Sequence, residues 1–239
     1  MRALVLHHDA NSTSGLVGAA LRERGFELDE HFICDQVDSP IATGPLPHLD
    51  GVDLVVALGS RWSVYDRTSV GGWIDDELEL LRTADRRGVP TLGICFGAQA
   101  LAAAHGATVR RAHRPEIGWS DVDSEIGQIA AGPWFQWHFD VFETPRYADL
   151  LARSPSGAQA FRLRRNVGVQ FHPELDRVLL ELWMVNDRAE LRAAGVDPDA
   201  LVEETIRMES SASRRCGELV DWFLADVASS ATPAPVGSP

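Results

Sequence analysis

The chain has 239 residues, of which 45% are hydrophobic and 24% are charged, a composition typical of a folded globular domain. Its net charge of −13 argues against a nucleic-acid partner or an anionic membrane surface, because both need clustered positive charge. No apolar run reaches the ~18 residues of a membrane-spanning helix, and the polar start does not predict a signal peptide. Three scattered cysteines predict no disulfide framework and no metal site, so we expect a cytoplasmic protein.

In the N-terminal half of the chain, short apolar runs alternate with amphipathic stretches. The runs predict four strands: Ala3–Leu6, Glu27–Phe32, Leu54–Leu58 and Thr91–Ile94. The amphipathic stretches predict three helices: Gly15–Arg24, Trp73–Arg86 and Ala98–His105. The third run is apolar throughout, as in a central strand buried on both faces. This alternation predicts a mostly parallel sheet covered by helices on both sides.

The second half of the chain begins with shorter strand-like pieces separated by turns. These pieces are Trp119–Val122, Phe139–Thr144, Ala160–Arg164 and Val167–Phe171, and they predict an antiparallel extension of the sheet. From Leu175 to Val227 the pattern is helical, with a break near Gly195–Pro198. Residues 229–239 are rich in Ser, Ala and Pro without periodicity, which predicts a disordered tail.

The segment from Gly93 to Gly97 has a glycine two residues before and two residues after Cys95, between a predicted strand and a predicted helix. This pattern indicates a nucleophile elbow, in which a tight turn exposes the reactive side chain and leaves room only for glycine beside it. The helix N-terminus would favour the thiolate, the reactive form of cysteine. The alternative is a buried cysteine at the end of a glycine-flanked strand.

A second motif lies at the end of the strand predicted from Val167, where His172 is followed two residues later by Glu174. In an extended backbone, positions i and i+2 point the same way, so the glutamate could orient one ring nitrogen and leave the other for Cys95. A Cys–His pair oriented by a third group is the general arrangement of an activated thiol. The alternative is a surface histidine beside an unrelated acid.

Together the two motifs resemble the class I glutamine amidotransferase family, most closely its stand-alone, GMP-synthase-like branch. Three further segments follow the order and spacing of that family: Gly59–Asp66, Glu116–Trp119 and Gln136–Asp140. The resemblance covers residues 1–228 as one domain. It implies a flavodoxin-like α/β three-layer sandwich with a mostly parallel central sheet, an antiparallel extension and C-terminal helices.

The resemblance also implies roles for individual residues. The catalytic triad would be Cys95, His172 and Glu174. The oxyanion hole would use the backbone N–H of Phe96 and one N–H from the loop formed by Gly59 and Ser60, where the family often has Gly-Gly-Pro.

Three more residues would bind the substrate by the same resemblance. Gln99 matches a residue one helical turn past the nucleophile, where it could contact the amino-acid end of the substrate. His138 and Phe139 match a segment that usually reads His-Gly-Asp, whose backbone touches bound glutamine. Phe139 in place of glycine adds bulk at this pocket.

The function implied is hydrolysis of the γ-carboxamide of glutamine through a γ-glutamyl thioester, without a metal or an organic cofactor. The ammonia would pass to an acceptor on a separate synthase subunit; the acceptor and the oligomeric state stay open. One alternative is a γ-glutamyl peptide or amide hydrolase with the same triad. Another, of a different class, is a non-catalytic binding or regulatory subunit.

Two histidines, His7 and His8, end the first predicted strand, and the carboxyl ends of parallel strands face the active crevice in such folds. Adjacent residues of a strand point to opposite faces. We therefore expect a structural role for this pair.

Overall fold

Ten strands and seven α-helices form the part of the chain that the computed structural model describes, residues 1–230. The strands are β1 (Arg2–His7), β2 (Glu27–Phe32), β3 (Leu54–Ala57), β4 (Thr91–Ile94), β5 (Val109–Ser120), β6 (Asp123–Ser124), β7 (Trp134–Phe142), β8 (Asp149–Ser154), β9 (Gly157–Leu163) and β10 (Asn166–Val169). The helices are α1 (Gly15–Glu23), α2 (Arg67–Val70), α3 (Ile74–Arg86), α4 (Phe96–Ala104), α5 (Gly127–Ala130), α6 (Arg177–Ala193) and α7 (Pro198–Trp222), which runs on into a π-helical segment, Phe223–Ala228.

Eight of the strands form one sheet in the order β2-β1-β3-β4-β10-β9-β8-β6. The first five strands in this order pair in parallel, and the pairs β10–β9, β9–β8 and β8–β6 are antiparallel. The mostly parallel sheet and its antiparallel extension are therefore confirmed.

The two faces of this sheet bury separate hydrophobic clusters. In β1, Ala3 and Val5 pack into a cluster with residues of α1, α7 and the π-helical segment. Leu4 and Leu6 point to the other face, where α3 and α4 supply the partners. Because successive strand residues alternate between faces, an apolar β1 serves both clusters, and the result is the expected three-layer sandwich.

The placement of two predicted sheet strands was wrong. The pieces Trp119–Val122 and Phe139–Thr144 fall on or next to β5 and β7, which pair with each other in a separate two-stranded ribbon. The physical reason is the packing of the ribbon: Phe135 of β7 is fully buried against Leu179 and Leu180 of α6 rather than against the main sheet. The ribbon thus carries an apolar face that the C-terminal helices cover.

The C-terminal region is helical with the predicted break. α6 ends before Gly195, whose φ of +80° favours glycine, and α7 begins at Pro198 with the Asp197 side chain accepting the N–H of Asp199. Of the predicted tail 229–239, Ser230 receives a hydrogen bond from Arg162, and residues 231–239 lie outside the described residues.

Candidate active site

Three parallel strands direct their carboxyl ends toward one crevice. Gly59 follows β3, Cys95 follows β4, and His172 follows β10, so residues distant in sequence become neighbours. A Cβ atom placed on Gly59 would lie 3.1 Å from Cε1 of His172 and 3.8 Å from Cβ of Cys95. The structure therefore brings the predicted nucleophile, the predicted base and the predicted oxyanion loop together at the edge where open α/β sheets bind ligands.

The backbone of Cys95 has the strained conformation of a nucleophile elbow. Its φ is 52° and its ψ is −107°, although it is not glycine, and α4 begins at the next residue. The helix starts two residues earlier than the sequence predicts, directly after the thiol. The side chain is thus held at a helix N-terminus, where the helix dipole and free N–H groups favour an anion.

Both glycines of the motif are required by close backbone contacts. A Cβ on Gly97 would lie 2.0 Å from the carbonyl oxygen of Ala57, and one on Gly93 would lie 2.6 Å from the carbonyl oxygen of Gly97. The N–H of Gly97 also donates to the carbonyl of Leu58 at 3.0 Å. α4 therefore sits directly against the end of β3.

His172 and Glu174 form a buried pair next to this elbow. Nδ1 of His172 lies 2.6 Å from Oε1 of Glu174, and both side chains are almost fully excluded from solvent. The ring of Trp183 packs edge-on against the imidazole at 4.9 Å, and the backbone N–H of His172 donates to Phe135. Nε2 makes no hydrogen bond to any described residue, so this nitrogen is available to the thiol and to a substrate.

The charge environment favours the protonated form of His172. Burial would lower its pKa, but the carboxylate of Glu174 and the sulfur of Cys95 outweigh burial and raise the pKa well above its usual value. Of the other two thiols, burial raises the pKa of Cys34 to about 11 and also raises the pKa of Cys216. Cys95 shares a cavity with His172.

Two backbone N–H groups are available near the thiol. Within residues 1–230, neither Ser60 nor Phe96 donates its backbone N–H to a protein acceptor. Phe96 is the first residue of α4, whose N-terminal N–H groups have no partner within the helix. The carbonyl of Gly59 is engaged by two side chains on the other side of the same peptide, His8 at 3.1 Å and Ser12 at 3.0 Å. The arrangement suits stabilisation of an oxyanion.

Cys95 lies between two cavities. The first, of about 90 Å³, opens on the His172 side and is lined also by Asp9, Asn11, Ser12 and Trp183, among others. The second lies on the side of α4 and β7. Its lining includes Gln99, Arg111, His138, Phe139 and Asp140. Ser60, Arg61 and Trp137 border both cavities. A bound acyl compound could therefore place its two ends on opposite sides of the sulfur.

Two side-chain amides form a chain of hydrogen bonds that ends at the thiol of Cys95. The side-chain nitrogen of Gln170 donates to Sγ of Cys95 at 3.6 Å. The side-chain nitrogen of Gln99 donates to the Gln170 amide oxygen at 3.2 Å and to the carbonyl of Asp140 at 3.3 Å. The nitrogen of Gln99 is thus occupied, and its amide oxygen is the atom left for a ligand in the second cavity.

The two remaining predicted substrate-binding residues differ in exposure. The imidazole of His138 is buried and uses both nitrogens within the protein, Nε2 with Glu116 at 3.1 Å and Nδ1 with the carbonyl of Asp140 at 3.0 Å. Phe139 borders the second cavity, and the guanidinium of Arg111 lies over its ring at 4.7 Å. The ring of Phe139 therefore holds the Arg111 guanidinium at the mouth of the second cavity.

Three residues of the site were missed by the sequence reasoning. Gln170 lies within the second motif two residues before His172, and the i, i+2 alternation expected for that motif would have placed it on the same side as His172. Trp183 lies on α6, and its contact with His172 depends on helix docking. The role of His8 at the Gly59 carbonyl was not foreseen either, because its partners come from separate segments.

The match to known proteins agrees with this geometry. The model of the glutamine amidotransferase class-I family matches residues 17–181. The chain belongs to this family of proteins, and the predicted resemblance is confirmed.

Curated relatives include GMP synthase [glutamine-hydrolyzing] from Staphylococcus aureus, with 30% identity over 169 residues, covering 67% of this chain and 30% of the relative. The chain thus spans about a third of the length of these relatives. A solved structure of a glutamine amidotransferase from Thermotoga maritima superposes with a TM-score of 0.80 at 28% identity, covering 95% of this chain and 99% of the other. One from Methylobacillus flagellatus, at 22% identity and a TM-score of 0.80, shares the fold over 93% of this chain and 94% of the other.

Among residues 1–230, no helix combines the length and the apolar character needed to cross a membrane.

Proposed function

We propose that this protein hydrolyses the γ-carboxamide of glutamine through a triad of Cys95, His172 and Glu174. The observation that carries the proposal is the thiol at a strained helix N-terminus, sharing a cavity with a histidine that is bonded to a buried glutamate. The Staphylococcus aureus relative is a glutamine-hydrolyzing GMP synthase, which supports glutamine as the substrate.

In the first half-reaction the Cys95 thiolate attacks the γ-carbonyl carbon, and the carbonyl oxygen takes up the negative charge. The N–H groups of Phe96 and Ser60 are the donors for this oxyanion. When the tetrahedral intermediate collapses, Nε2 of His172 gives its proton to the departing nitrogen, and a γ-glutamyl thioester forms. The raised pKa of His172 suits this step, because the ring then keeps its proton to a higher pH than an ordinary histidine.

In the second half-reaction His172, now neutral, accepts a proton from a water molecule that attacks the thioester. The second tetrahedral intermediate uses the same oxyanion donors, and its collapse releases glutamate and restores the thiolate. Glu174 holds the ring through Nδ1 in both halves and stabilises its positive charge.

The two cavities suggest how the substrate lies. The leaving nitrogen must face His172, so the first cavity takes the leaving group and the second takes the amino-acid end. The oxygen of Gln99 is placed to accept from an α-ammonium group, and Arg111 is the cation at the same mouth. We propose that the ammonia passes to a synthase, by analogy with the synthase relatives.

A second candidate is hydrolysis of γ-glutamyl peptides or γ-glutamyl amides by the same triad. The observation that favours it is the first cavity, whose volume of about 90 Å³ on the His172 side exceeds the roughly 10–15 Å³ that one water-sized molecule such as ammonia needs, and so leaves room for a larger amine. Phe139 narrows the second cavity, on the opposite side of Cys95, and this also favours the second candidate.

The test compares kcat/KM of the purified protein for glutamine, γ-glutamyl anilide and a γ-glutamyl dipeptide. A preference for glutamine supports the first candidate, and a preference for the larger amides supports the second. A protein inactive on all three, whose Cys95 shows no selective alkylation, would be a non-catalytic binding subunit.

A further inference from the structure

Outside the proposed triad, a second buried histidine–glutamate pair lies behind the oxyanion loop. His8, directly after β1, has Nε2 3.0 Å from Oε1 of Glu77 on α3, and both side chains have no solvent exposure. Its Nδ1 lies 3.1 Å from the carbonyl oxygen of Gly59. The hydroxyl of Ser12 donates to the same oxygen at 3.0 Å, filling its second acceptor position.

The proton positions of His8 follow from its partners. A carbonyl oxygen can only accept, so Nδ1 carries a hydrogen and donates it to Gly59. The Glu77 carboxylate also can only accept, so Nε2 donates as well and the ring is the imidazolium. Burial would lower the pKa of His8, but Glu77 outweighs burial and raises it, in agreement with this form. The hydrogen bond to Gly59 is therefore charge-assisted, and charge-assisted bonds are stronger than neutral ones.

This bond fixes the direction of a neighbouring donor. In a planar trans peptide the C=O of one residue and the N–H of the next point in opposite directions. With the Gly59 carbonyl drawn toward His8 and Ser12, the N–H of Ser60 points away from them. A Cβ atom on Gly59 would lie within 3.8 Å of both His172 and Cys95, so the loop runs directly past the thiol.

The same imidazole also touches the second oxyanion donor residue. Its ring packs edge-on against Phe96 at 4.6 Å and lies 5.7 Å from Trp73. Phe96 supplies the other free N–H, so one buried ring contacts both segments that face the thiol.

We propose that His8 is a positioning residue for catalysis: held by Glu77 and assisted by Ser12, it orients the Gly59–Ser60 peptide so that the Ser60 N–H stabilises the oxyanion. This inference rests on the proposed function. The positive charge on His8 also polarises the peptide, which makes the Ser60 N–H a better donor when negative charge develops on the substrate.

A purely architectural role would have different consequences. If the pair only filled space, its loss would lower stability and would affect every property of Cys95 alike. A positioning role concerns the transition state, so kcat falls while substrate binding and simple thiol chemistry persist. Removing one oxyanion donor typically costs about 100- to 1000-fold in kcat.

The experiment uses the full chain with His8→Ala, His8→Asn, Glu77→Gln and Ser12→Ala, and His105→Ala as a control at the far end of α4. Activity is measured on the preferred amide, and alkylation of Cys95 by iodoacetamide, which needs no oxyanion hole, is measured in parallel. We expect His8→Ala to lower kcat about 100-fold with KM changed less than about threefold. Alkylation and the control variant should stay within about twofold of wild type.

Because the asparagine amide can place a donor near the position of Nδ1, His8→Asn should recover part of the lost kcat, and Glu77→Gln and Ser12→Ala should show smaller losses. A joint fall of kcat and alkylation, or a His8→Asn variant no better than His8→Ala, would contradict the proposal.

Crystal structures of wild type, His8→Ala and Ser12→Ala test the anchoring without any activity. We expect the Gly59–Ser60 peptide to rotate or lose its single orientation in His8→Ala. An unchanged peptide would overturn the inference even if the variant were inactive. If wild type itself hydrolysed no amide, the proposed function would fail, while the peptide orientation would still decide whether His8 anchors the loop.

Discussion

Nδ1 of His172 and Oε1 of Glu174 lie 2.6 Å apart, although the two residues are separated in the chain by one proline. A turn brings them together rather than the extended backbone that the sequence predicts, because Pro173 and Glu174 form a turn in which the N–H of Leu175 donates to the carbonyl of His172. The second motif still builds its own ion pair locally. Cys95 comes from a strand 77 positions earlier by residue number (172 − 95), and only the parallel pairing of β4 with β10 brings it to this pair.

Replacement of Cys95 by alanine should abolish amide hydrolysis while the fold survives. Alanine fits the buried site and its backbone strain equals that of cysteine. Loss of a nucleophile costs at least roughly 10⁴-fold. Turnover and circular dichroism measured on the same sample test this, with Cys216→Ala as the matched control that should stay active. Residual activity near that of wild type would rule out Cys95 as the nucleophile.

His172→Ala should be nearly as damaging as Cys95→Ala, whereas Glu174→Gln should be milder by roughly 10-fold or more, because the glutamate only orients the ring and stabilises its charge. The three residues act as one unit. The double variant Cys95→Ala with His172→Ala should therefore lose no more activity than either single variant. Losses that multiply in the double variant would contradict a shared mechanism.

The pKa of His172 should fall in Glu174→Gln. The carboxylate raises that pKa in the folded protein, and glutamine keeps a hydrogen-bond partner but removes the charge. In wild type, His172 should thus stay protonated to a higher pH than an ordinary histidine, and in the variant it should lose its proton at a lower pH. NMR titration of the labelled imidazole measures both values. An unchanged pKa would show that Glu174 does not set the charge of the ring.

Iodoacetamide should label Cys95 before the other two cysteines at neutral pH. Cys95 borders the first cavity, whereas Cys34 and Cys216 are fully buried and burial raises the pKa of each thiol. Mass spectrometry of peptides after brief labelling gives the order directly. Equal labelling of all three in the folded protein would remove the basis for a specifically accessible thiol.

Phe139→Gly should shift the ratio of kcat/KM toward glutamine relative to a γ-glutamyl anilide. The change removes bulk from the second cavity and also the ring on which Arg111 rests. One contact is worth roughly 10- to 200-fold, so the shift should be graded. Phe139→Leu is the matched control, because it keeps the bulk and removes only the aromatic ring. An unchanged ratio in Phe139→Gly would exclude this position as a determinant of substrate choice.

Local patterns predicted much of the fold and the centre of the candidate site. The glycines at 93 and 97 identify the elbow because close backbone packing tolerates no side chain there, and apolar runs identify the parallel strands because those strands are buried on both faces. The start of α4 was placed at Ala98 rather than Phe96, because nothing local distinguishes the first turn of a helix from the elbow itself.

Features that depend on distant partners were not predictable in this way. The ribbon of β5 and β7 carries charged residues such as Arg110 and Arg114 on an exposed face, so the alternation of polar and apolar residues along it is weak. Its separation from the main sheet depends on the docking of α6. The His8–Glu77 pair joins residues 69 positions apart, and no periodicity relates them. Tertiary packing alone makes these contacts.

The close approach of Gly97 to Ala57 limits which substitutions evolution can accept at position 97. Ala57 ends β3 two residues before Gly59, so the backbone contact that holds α4 also sets the spacing between the thiol and the oxyanion loop. Any side chain at position 97 would push helix and strand apart and would move both groups at once. Selection for a folded protein and selection for an active one therefore act on position 97 together. A substitution there cannot affect the fold without also affecting activity.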